Sequence, residues 1–218
     1  MQLLRADPLH VHRRHQAFPS KADHALSAAL IKGCVMLFSG RLQGCIESQT
    51  QEFLERIDQS GIVVDLLPES LRAALCSQYF GGKSRLKPAE TAELHQRYAV
   101  LWTPGAMLPS GTLRTDSLPD KSGNPWPSRV ATLMRRCDID LFGDLEHQRG
   151  KRYRDAMTTY VDELIDMRNN VAHGSPVTAW TTADLVLRMQ WACRMAHACD
   201  QALGDKLLTI TGSSWDEA

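Results

Sequence analysis

The chain has 218 residues, a length that is typical of one domain and sufficient to bury a core without metal ions or disulfides. Lysine plus arginine and aspartate plus glutamate both number 25, so the formal net charge is zero. This balance excludes an overall positive field that would attract nucleic acid from a distance, and any contact with nucleic acid must therefore be local.

The cysteines and the N-terminus together predict the compartment. None of the six cysteines lies in a CxxC pair, and most fall in apolar helical patterns: Cys34, Cys45, Cys76, Cys137, Cys193 and Cys199. We expect them to be reduced and to pack as small apolar side chains. No long apolar run follows the basic N-terminus, and no stretch reaches about 18 continuous apolar residues. We therefore expect a cytoplasmic protein that is neither secreted nor embedded in a membrane.

The first half of the chain predicts three helices and a long loop. After a basic lead-in over residues 1–19, a long helix begins near Ser20 and ends before Gly61. Its leucines and small residues recur at three- and four-residue steps and define an apolar face suited to close helix packing: Leu26, Leu30, Cys34, Leu37, Gly40 or Arg41, Gly44 and Ser48. Shorter helices are predicted over 68–80 and 88–102, and the irregular stretch 103–127 is long enough to be either functional or mobile.

The second half predicts further helices. Ser128 is the expected cap of a helix over 128–137, residues 138–150 are a turn region, and Gly174 stops a helix that begins near Lys151. Thr181 and Asp184 resemble a capping box for a last helix that Gly204 closes. Residues 205–218 are a C-terminal tail that we expect to be frayed from Gly212 onward. The predicted class is all-α, an up-and-down helical bundle in one domain over residues 20–204.

One cluster carries chemistry: Arg168, Asn169 and His173 combine a permanent cation, an amide and a histidine at a helix end. Asn169 and His173 are four residues apart and share a helix face, while Arg168 follows Leu164 by four and lies beside the apolar stripe. We expect the three side chains to converge at the margin of a buried surface that a second helix or subunit covers, where partial burial strengthens electrostatic effects.

These residue types suit attack of an RNA 2′-hydroxyl on the neighbouring phosphate. His173 would move the proton, Arg168 would hold the charge that builds on the phosphate, and Asn169 would orient the imidazole or the phosphate. No metal is required, because the nucleophile is part of the substrate. One histidine cannot serve as base and acid in one step, so the second proton carrier is expected to be His173 of a second copy or, failing that, Glu47.

Alternative interpretations stay open. A histidine followed by glycine is also what an ordinary helix C-terminus looks like. The histidines His10, His12 and His15 suggest a metal site, but their arginine neighbours favour a solvated basic arm. Cys193, His197 and Cys199 lack the four ligands of a structural metal site and are interpreted as packing residues. No metal or cofactor is predicted.

Local positive charge comes from two basic clusters, Lys83, Arg85 and Lys87, and then Arg149, Lys151, Arg152 and Arg154. Either cluster is an ordinary solvated face or the charge that holds an RNA backbone. Trp102 and Trp126 flank the long loop and either stack an unpaired base or anchor the loop on the core.

Arg168-Asn169, a three-residue spacer, His173 and Gly174 resemble the Rx4-6H signature of the HEPN superfamily. From about Ala22 to Leu203 the order of segments is similar to the stand-alone RiboL-PSP group. The resemblance implies a dimeric bundle and a metal-independent endoribonuclease of toxin–antitoxin, phage-defence or RNA-processing systems, with tRNA a candidate substrate. It implies that Arg168 and His173 are catalytic and that Asn169 supports them, and Asn170 is, with Glu47, a further candidate supporting residue. Some HEPN domains are instead non-catalytic nucleotide-binding or assembly modules, for which the partner would be an antitoxin or a larger defence protein.

Overall fold

A computed structural model describes residues 21–81, 95–96, 98–113, 124–175 and 180–215. Over these residues the chain forms six α-helices and two short 3₁₀ helices, with no strand beyond an isolated bridge between Val63 and Met107. The α-helices are α1 (Lys21–Gln59), α2 (Glu69–Gly81), α3 (Pro127–Arg136), α4 (Leu141–Arg149), α5 (Lys151–Ala172) and α6 (Thr182–Thr211). The all-α prediction is confirmed.

Three long helices form the bundle. α1, α5 and α6 pack against one another in all three pairs, α4 lies on α5, and α2 contacts α3. The core between the long helices is built from fully buried aliphatic and aromatic side chains, among them Phe53, Ile57, Leu164, Met195 and Leu203. Each of these side chains contributes roughly 1.5–3 kcal/mol on leaving water, so the burial of this seam is the main force that holds α5 in place.

The predicted packing face of α1 is wrong. Leu26, Leu30 and Leu37 are 61%, 61% and 74% exposed, and the small residues between them are exposed as well. The face that packs inward instead includes Val35, Leu42, Ile46, Phe53 and Ile57. Both faces of the first half of α1 are apolar at helical spacing, so periodicity alone could not select between them; the larger side chains of the second half decide which one faces the core.

The apolar character of α1 also bears on the membrane prediction. Within the described part of the chain, His24–Gln59 is one segment long and apolar enough to cross a membrane by length and composition alone. Its second half supplies Phe53, Leu54 and Ile57 to the protein core and carries the exposed ion pair Arg56–Glu52. This half of α1 is therefore a core helix of the bundle.

Several helix ends agree with their local sequence signals. Gly61 (φ +63) follows α1 and Gly174 (φ +66) follows α5, both in the left-handed conformation that favours glycine. The capping box of α6 is confirmed: Asp184 N donates to Thr181 Oγ1 at 3.1 Å, and Thr181 N donates to Asp184 Oδ2 at 2.9 Å. The Asp184 carboxylate also accepts from the Thr181 hydroxyl at 2.6 Å, and this bond, followed by the one from Thr181 N, lowers the pKa of Asp184.

Other predicted boundaries are wrong. Trp126, not Ser128, precedes α3, whose first residue is Pro127, and residues 141–149 form α4 rather than a turn. α6 passes through Gly204 and ends at Gly212 (φ +76), so the last helix is longer than predicted. The missing side chain at Gly204 leaves room for the Trp215 ring, which an added Cβ would meet at 2.7 Å. Trp215 Nε1 in turn donates to the Asp200 carbonyl at 3.2 Å, so the tail is not frayed at this residue.

The long irregular stretch is described over residues 103–113 and 124–126, and its first part is fixed to the end of α1. Val64 N donates to the Ala106 carbonyl at 2.9 Å, and the buried Asp58 carboxylate accepts from Gly111 N and, at 2.7 Å, from Leu113 N. This anchoring favours a structural function for residues 103–113. The lead-in and the first basic cluster lie outside the described residues. Of the predicted helix 88–102, residues 95–96 and 98–102 are described, and all of them are helical, the last three in a 3₁₀ helix.

Candidate functional site

The last turn of α5 holds Arg168 and Asn169 in a defined arrangement. The side-chain oxygen of Asn169 accepts a hydrogen bond from Arg168 Nη1 at 3.1 Å and another from Asn124 Nδ2 at 2.7 Å. Asn124 lies just before α3, at the end of the long irregular stretch. Because two donors converge on one oxygen, the plane of the Asn169 amide and the position of the Arg168 guanidinium are fixed relative to each other.

His173 lies immediately after the helix. α5 ends at Ala172, and the backbone N–H of His173 donates to the Asn169 carbonyl at 3.0 Å in a helix C-cap conformation (φ −94, ψ 3). Ser175 N closes the turn on the Asn170 carbonyl at 2.9 Å, while the His173 side chain is exposed. The Asn169 side chain therefore holds Arg168, whereas His173 is attached to the helix end by an ordinary backbone hydrogen bond.

The charge on Arg168 is not neutralised by an ion pair with any described residue. Its hydrogen-bond partner is a neutral amide oxygen, and the side chain is half-buried beside the core residues Leu164 and Met167. A half-buried guanidinium with only a neutral partner keeps its positive charge available for an anion.

A cavity of about 130 Å³ lies between α1 and α3, and Asn124 forms part of its wall. The cavity is lined by Gln43, Ile46 and Glu47 of α1, by Asn124 and Pro125, and by Arg129, Val130, Thr132, Leu133 and Arg136 of α3. Glu47 Oε1 accepts from Gln43 Nε2 at 2.9 Å. Glu47 therefore lines the same cavity as Asn124, which donates a hydrogen bond to Asn169. Among the described residues, no hydrogen bond links Glu47 to Arg168, Asn169 or His173.

The second basic cluster lies at the far end of α5. Arg152 precedes Arg168 by 16 residues, a distance of about 24 Å along a helix. Arg149, Lys151 and Arg152 are exposed, but Arg154 is paired with Glu146 at 2.6 Å and with Asp155 at 2.7 Å. The ion pairs remove Arg154 as a free charge for RNA. The first cluster, Lys83, Arg85 and Lys87, lies outside the described residues.

Trp102, Trp126, Cys76 and Cys199 contact other parts of the protein. Trp102 Nε1 donates to Cys76 Sγ at 3.4 Å and its ring stacks under Arg72, while Trp126 packs partly into the core. Cys199 is buried, and desolvation raises its pKa to about 12, which is typical of a packing thiol. Cys193 and His197 are exposed, and among the described residues no group of three His, Cys, Asp or Glu side chains could hold a metal ion.

Sequence reasoning missed Asn124 and the arginines of the cavity. Asn124 is separated from Asn169 by 45 residues, and nothing in the spacing of either indicates that their side chains meet. Arg136 lies in the last turn of α3, where the helix dipole by itself favours a cation, so the sequence provided no reason to assign it to a cavity.

These features define a class of protein, a small all-helical bundle that presents an arginine, an asparagine and a histidine at the end of one core helix. The model of the RiboL-PSP-HEPN family matches residues 12–205, and the chain belongs to this family. HEPN domains are commonly ribonucleases or nucleotide-binding domains. No curated protein and no solved structure shows a significant match to the chain.

Proposed function

We propose that the protein is a metal-independent endoribonuclease whose active site is Arg168, Asn169 and His173, acting as a homodimer. The observation that carries the proposal is that the Asn169 side chain holds the Arg168 guanidinium, which forms no ion pair with any described residue, while the exposed His173 follows five residues later at the same helix end. Catalysis of phosphoryl transfer needs a fixed positive charge and a side chain that carries a proton, and this helix end offers an arginine and a histidine for these two roles.

In the proposed reaction the 2′-hydroxyl of the substrate loses its proton to the His173 imidazole and forms a bond to the adjacent phosphorus. The bond from phosphorus to the 5′-oxygen of the next nucleotide then breaks, and that oxygen receives a proton. The products are a 2′,3′-cyclic phosphate and a 5′-hydroxyl. The Arg168 guanidinium stabilises the negative charge on the non-bridging phosphate oxygens, and Asn169 holds the guanidinium in position.

The leaving 5′-oxygen needs a proton donor other than the base. The second copy in a dimer would supply its own histidine at this position. Glu47 is the candidate within the chain, because it lines the cavity whose wall includes Asn124 and thus lies on the α1 side of the motif. The variant Glu47→Gln distinguishes these two proton donors. It removes the carboxyl proton but keeps an oxygen that can accept from Gln43, so a loss of activity assigns the donor to Glu47 and full activity assigns it to the second histidine.

The exposed leucine face of α1 supports a dimer. Leu26, Leu30 and Leu37 span about 16 Å of helix and are more than half exposed, a continuous apolar surface that a second copy would remove from water. We expect Leu30→Glu with Leu37→Glu to give a monomer in light scattering. Leu208→Glu, an equally large exposed leucine on α6, is the matched control and leaves the dimer intact. A dimer that persists in the double variant would assign the interface elsewhere.

The activity is tested with wild type and His173→Ala on total cellular RNA and tRNA in EDTA, followed by mapping of product ends. Discrete cuts by wild type with cyclic phosphate ends, at least about 100-fold slower in the variant, are the expected result. Equal cutting by both proteins would overturn the role of His173. Circular dichroism confirms that the variant is folded, which an exposed side chain leads us to expect.

A second candidate function is a non-catalytic assembly module for an antitoxin or a larger defence protein. The backbone of His173 and Gly174 forms an ordinary helix cap, which requires no catalytic imidazole, and the exposed α1 face suits a protein partner. This function predicts a stable complex that survives His173→Ala and Arg168→Ala.

For the endoribonuclease, the biological setting we propose is a toxin–antitoxin or phage-defence system.

A further inference from the structure

We propose that the cavity between α1 and α3 binds one pyrimidine base of the RNA, next to the phosphate that is cut. The inference rests on the proposed function and extends it to substrate selection. It makes the loop residue Asn124 and the helix α3 part of the enzyme's specificity, although neither carries the HEPN motif.

The size of the cavity fits one six-membered ring. Its volume is about 130 Å³, and cavities of roughly 150 Å³ in other proteins hold a single benzene ring. A purine has a second fused ring and would not be enclosed to the same extent. The cavity is partly open, as a base that remains attached to its ribose requires.

The chemistry of the walls also fits a base. Ile46, Val130 and Leu133 supply apolar surface for the two faces of a flat ring. Gln43 and Asn124 also line the cavity. Each amide nitrogen donates once within the protein, to Glu47 and to Asn169, and its second N–H and its oxygen remain to pair with the Watson–Crick edge of a base. Single-stranded RNA is recognised in this way, by enclosing an unstacked base between apolar surfaces and reading its edge.

Two arginines of α3 are placed for the phosphate groups on either side of such a base. Arg129 and Arg136 both line the cavity, and Arg129 is exposed and forms no ion pair with any described residue. A guanidinium binds a phosphate through two parallel hydrogen bonds. The local charge needed to hold RNA therefore lies beside the cavity, whereas the predicted basic cluster lies at the opposite end of α5.

A chain of two hydrogen bonds links the cavity to the motif. Asn124 lines the cavity and donates to Asn169 at 2.7 Å, and Asn169 accepts from Arg168 at 3.1 Å. This path is on the scale of one nucleotide, so a base in the cavity would bring an adjacent phosphate to the Arg168 guanidinium. Occupancy of the cavity would thus set which phosphate is attacked.

The test measures binding, not cleavage, so that it is independent of the catalytic proposal. Short fluorescent 2′-O-methyl RNA oligonucleotides, which cannot be cut, carry each of the four bases at one position in an otherwise constant sequence. The proteins are wild type, Leu133→Trp to fill the cavity, Arg129→Ala to remove a cavity cation, and Arg135→Ala as the matched control on the same helix outside the cavity.

We expect wild type to bind the pyrimidine oligonucleotides more tightly than the purine ones. Leu133→Trp should abolish this preference and weaken binding by about 10-fold, the scale of one lost stacked base. Arg129→Ala should weaken binding by about 10-fold and Arg135→Ala by less than about twofold. Arg129 is exposed, so its variant keeps the test valid if Leu133→Trp fails to fold.

Each failure points to a different proposal. Equal affinity for all four bases, or unchanged binding in Leu133→Trp and Arg129→Ala, overturns the cavity as a base site even if RNA is cut. Base-dependent binding without any cleavage of natural RNA supports the cavity and overturns the nuclease. If uridine 3′-monophosphate binds as tightly as the oligonucleotide, the cavity is a free-nucleotide site and the RNA proposal is wrong.

Discussion

The two ends of α5 each carry arginines, but the partners of these arginines differ in charge. At the first turn Arg154 lies between two carboxylates, Glu146 at 2.6 Å and Asp155 at 2.7 Å. At the last turn Arg168 is half-buried and its partner is the neutral oxygen of Asn169. Positive charge at a helix N-terminus opposes the helix dipole, so carboxylates there offset a local cost.

The difference teaches that an arginine is a candidate for function when its charge is left unbalanced in a fixed position. Arg154 is balanced by the adjacent Asp155 and by Glu146 of α4, and the second ion pair contributes to the attachment of α4 to α5. Arg168 is held by a residue that cannot cancel its charge. Replacing each arginine with alanine and comparing the two activities therefore distinguishes an arginine in a structural ion pair from a proposed catalytic one.

The largest expected effect is at Arg168. Arg168→Ala should lower kcat by about 100- to 1000-fold, because it removes the positive charge that stabilises the phosphate in the transition state. Arg154→Ala is the matched control at the other end of the helix and should change kcat by less than about threefold. The measurement is single-turnover cleavage of a defined RNA. Comparable losses in both variants would make the effect one of folding.

A smaller effect is expected at Asn124. Asn124→Ala leaves Asn169 with one hydrogen bond in place of two, a loss of about 1 kcal/mol that should lower kcat about five- to tenfold. Gln201→Ala, an exposed amide on α6, serves as the control. The measurement is kcat of both variants from steady-state kinetics. An Asn124→Ala enzyme with full activity would show that Asn169 does not need this second donor.

The first turn of α5 provides the third prediction. Arg152 is exposed and forms no ion pair with any described residue. If it contacts an RNA phosphate, Arg152→Glu should make the negative slope of log affinity against log salt shallower by about 0.7. Arg154→Lys, which keeps the charge that balances Glu146 and Asp155, is the control and should not alter the slope. Anisotropy titrations over a range of salt concentrations measure both. An unchanged slope in Arg152→Glu would identify this end of α5 as an ordinary solvated face.

The smallest effect concerns the middle of α5. Burial raises the pKa of Asp162, and the neighbouring Asp166 carboxylate raises it further. An acid whose pKa is raised on folding favours the folded state at low pH, and this contribution is lost as the pH rises through the folded pKa. Asp162→Asn should therefore raise Tm at pH 7, by at most about 2 °C, and leave it unchanged below about pH 3.9. Melting curves at both pH values test this, and a lower Tm at pH 7 would contradict it.

Much of the helical framework followed from short-range sequence features. Helix ends were predicted where a capping residue or glycine acts within one turn, as at Gly61, Gly174 and the Thr181–Asp184 box. The predictions failed where tertiary contacts override local signals. Gly204 stays helical because α6 packs onto the bundle on either side of it, and Leu141–Arg149 is helical although its amphipathic pattern is weak.

The sequence by itself determined the all-α class, the bounds of α5, and the placement of Arg168, Asn169 and His173 on one helix end, because helical period and capping are properties of neighbouring residues. Only the tertiary structure decided that the leucine face of α1 is exposed, that Arg154 is neutralised, and that Asn124 connects Asn169 to a cavity. Each of these facts depends on how the helices pack against one another, α4 on α5 in the case of Arg154, and the spacing of residues within one helix does not specify that packing.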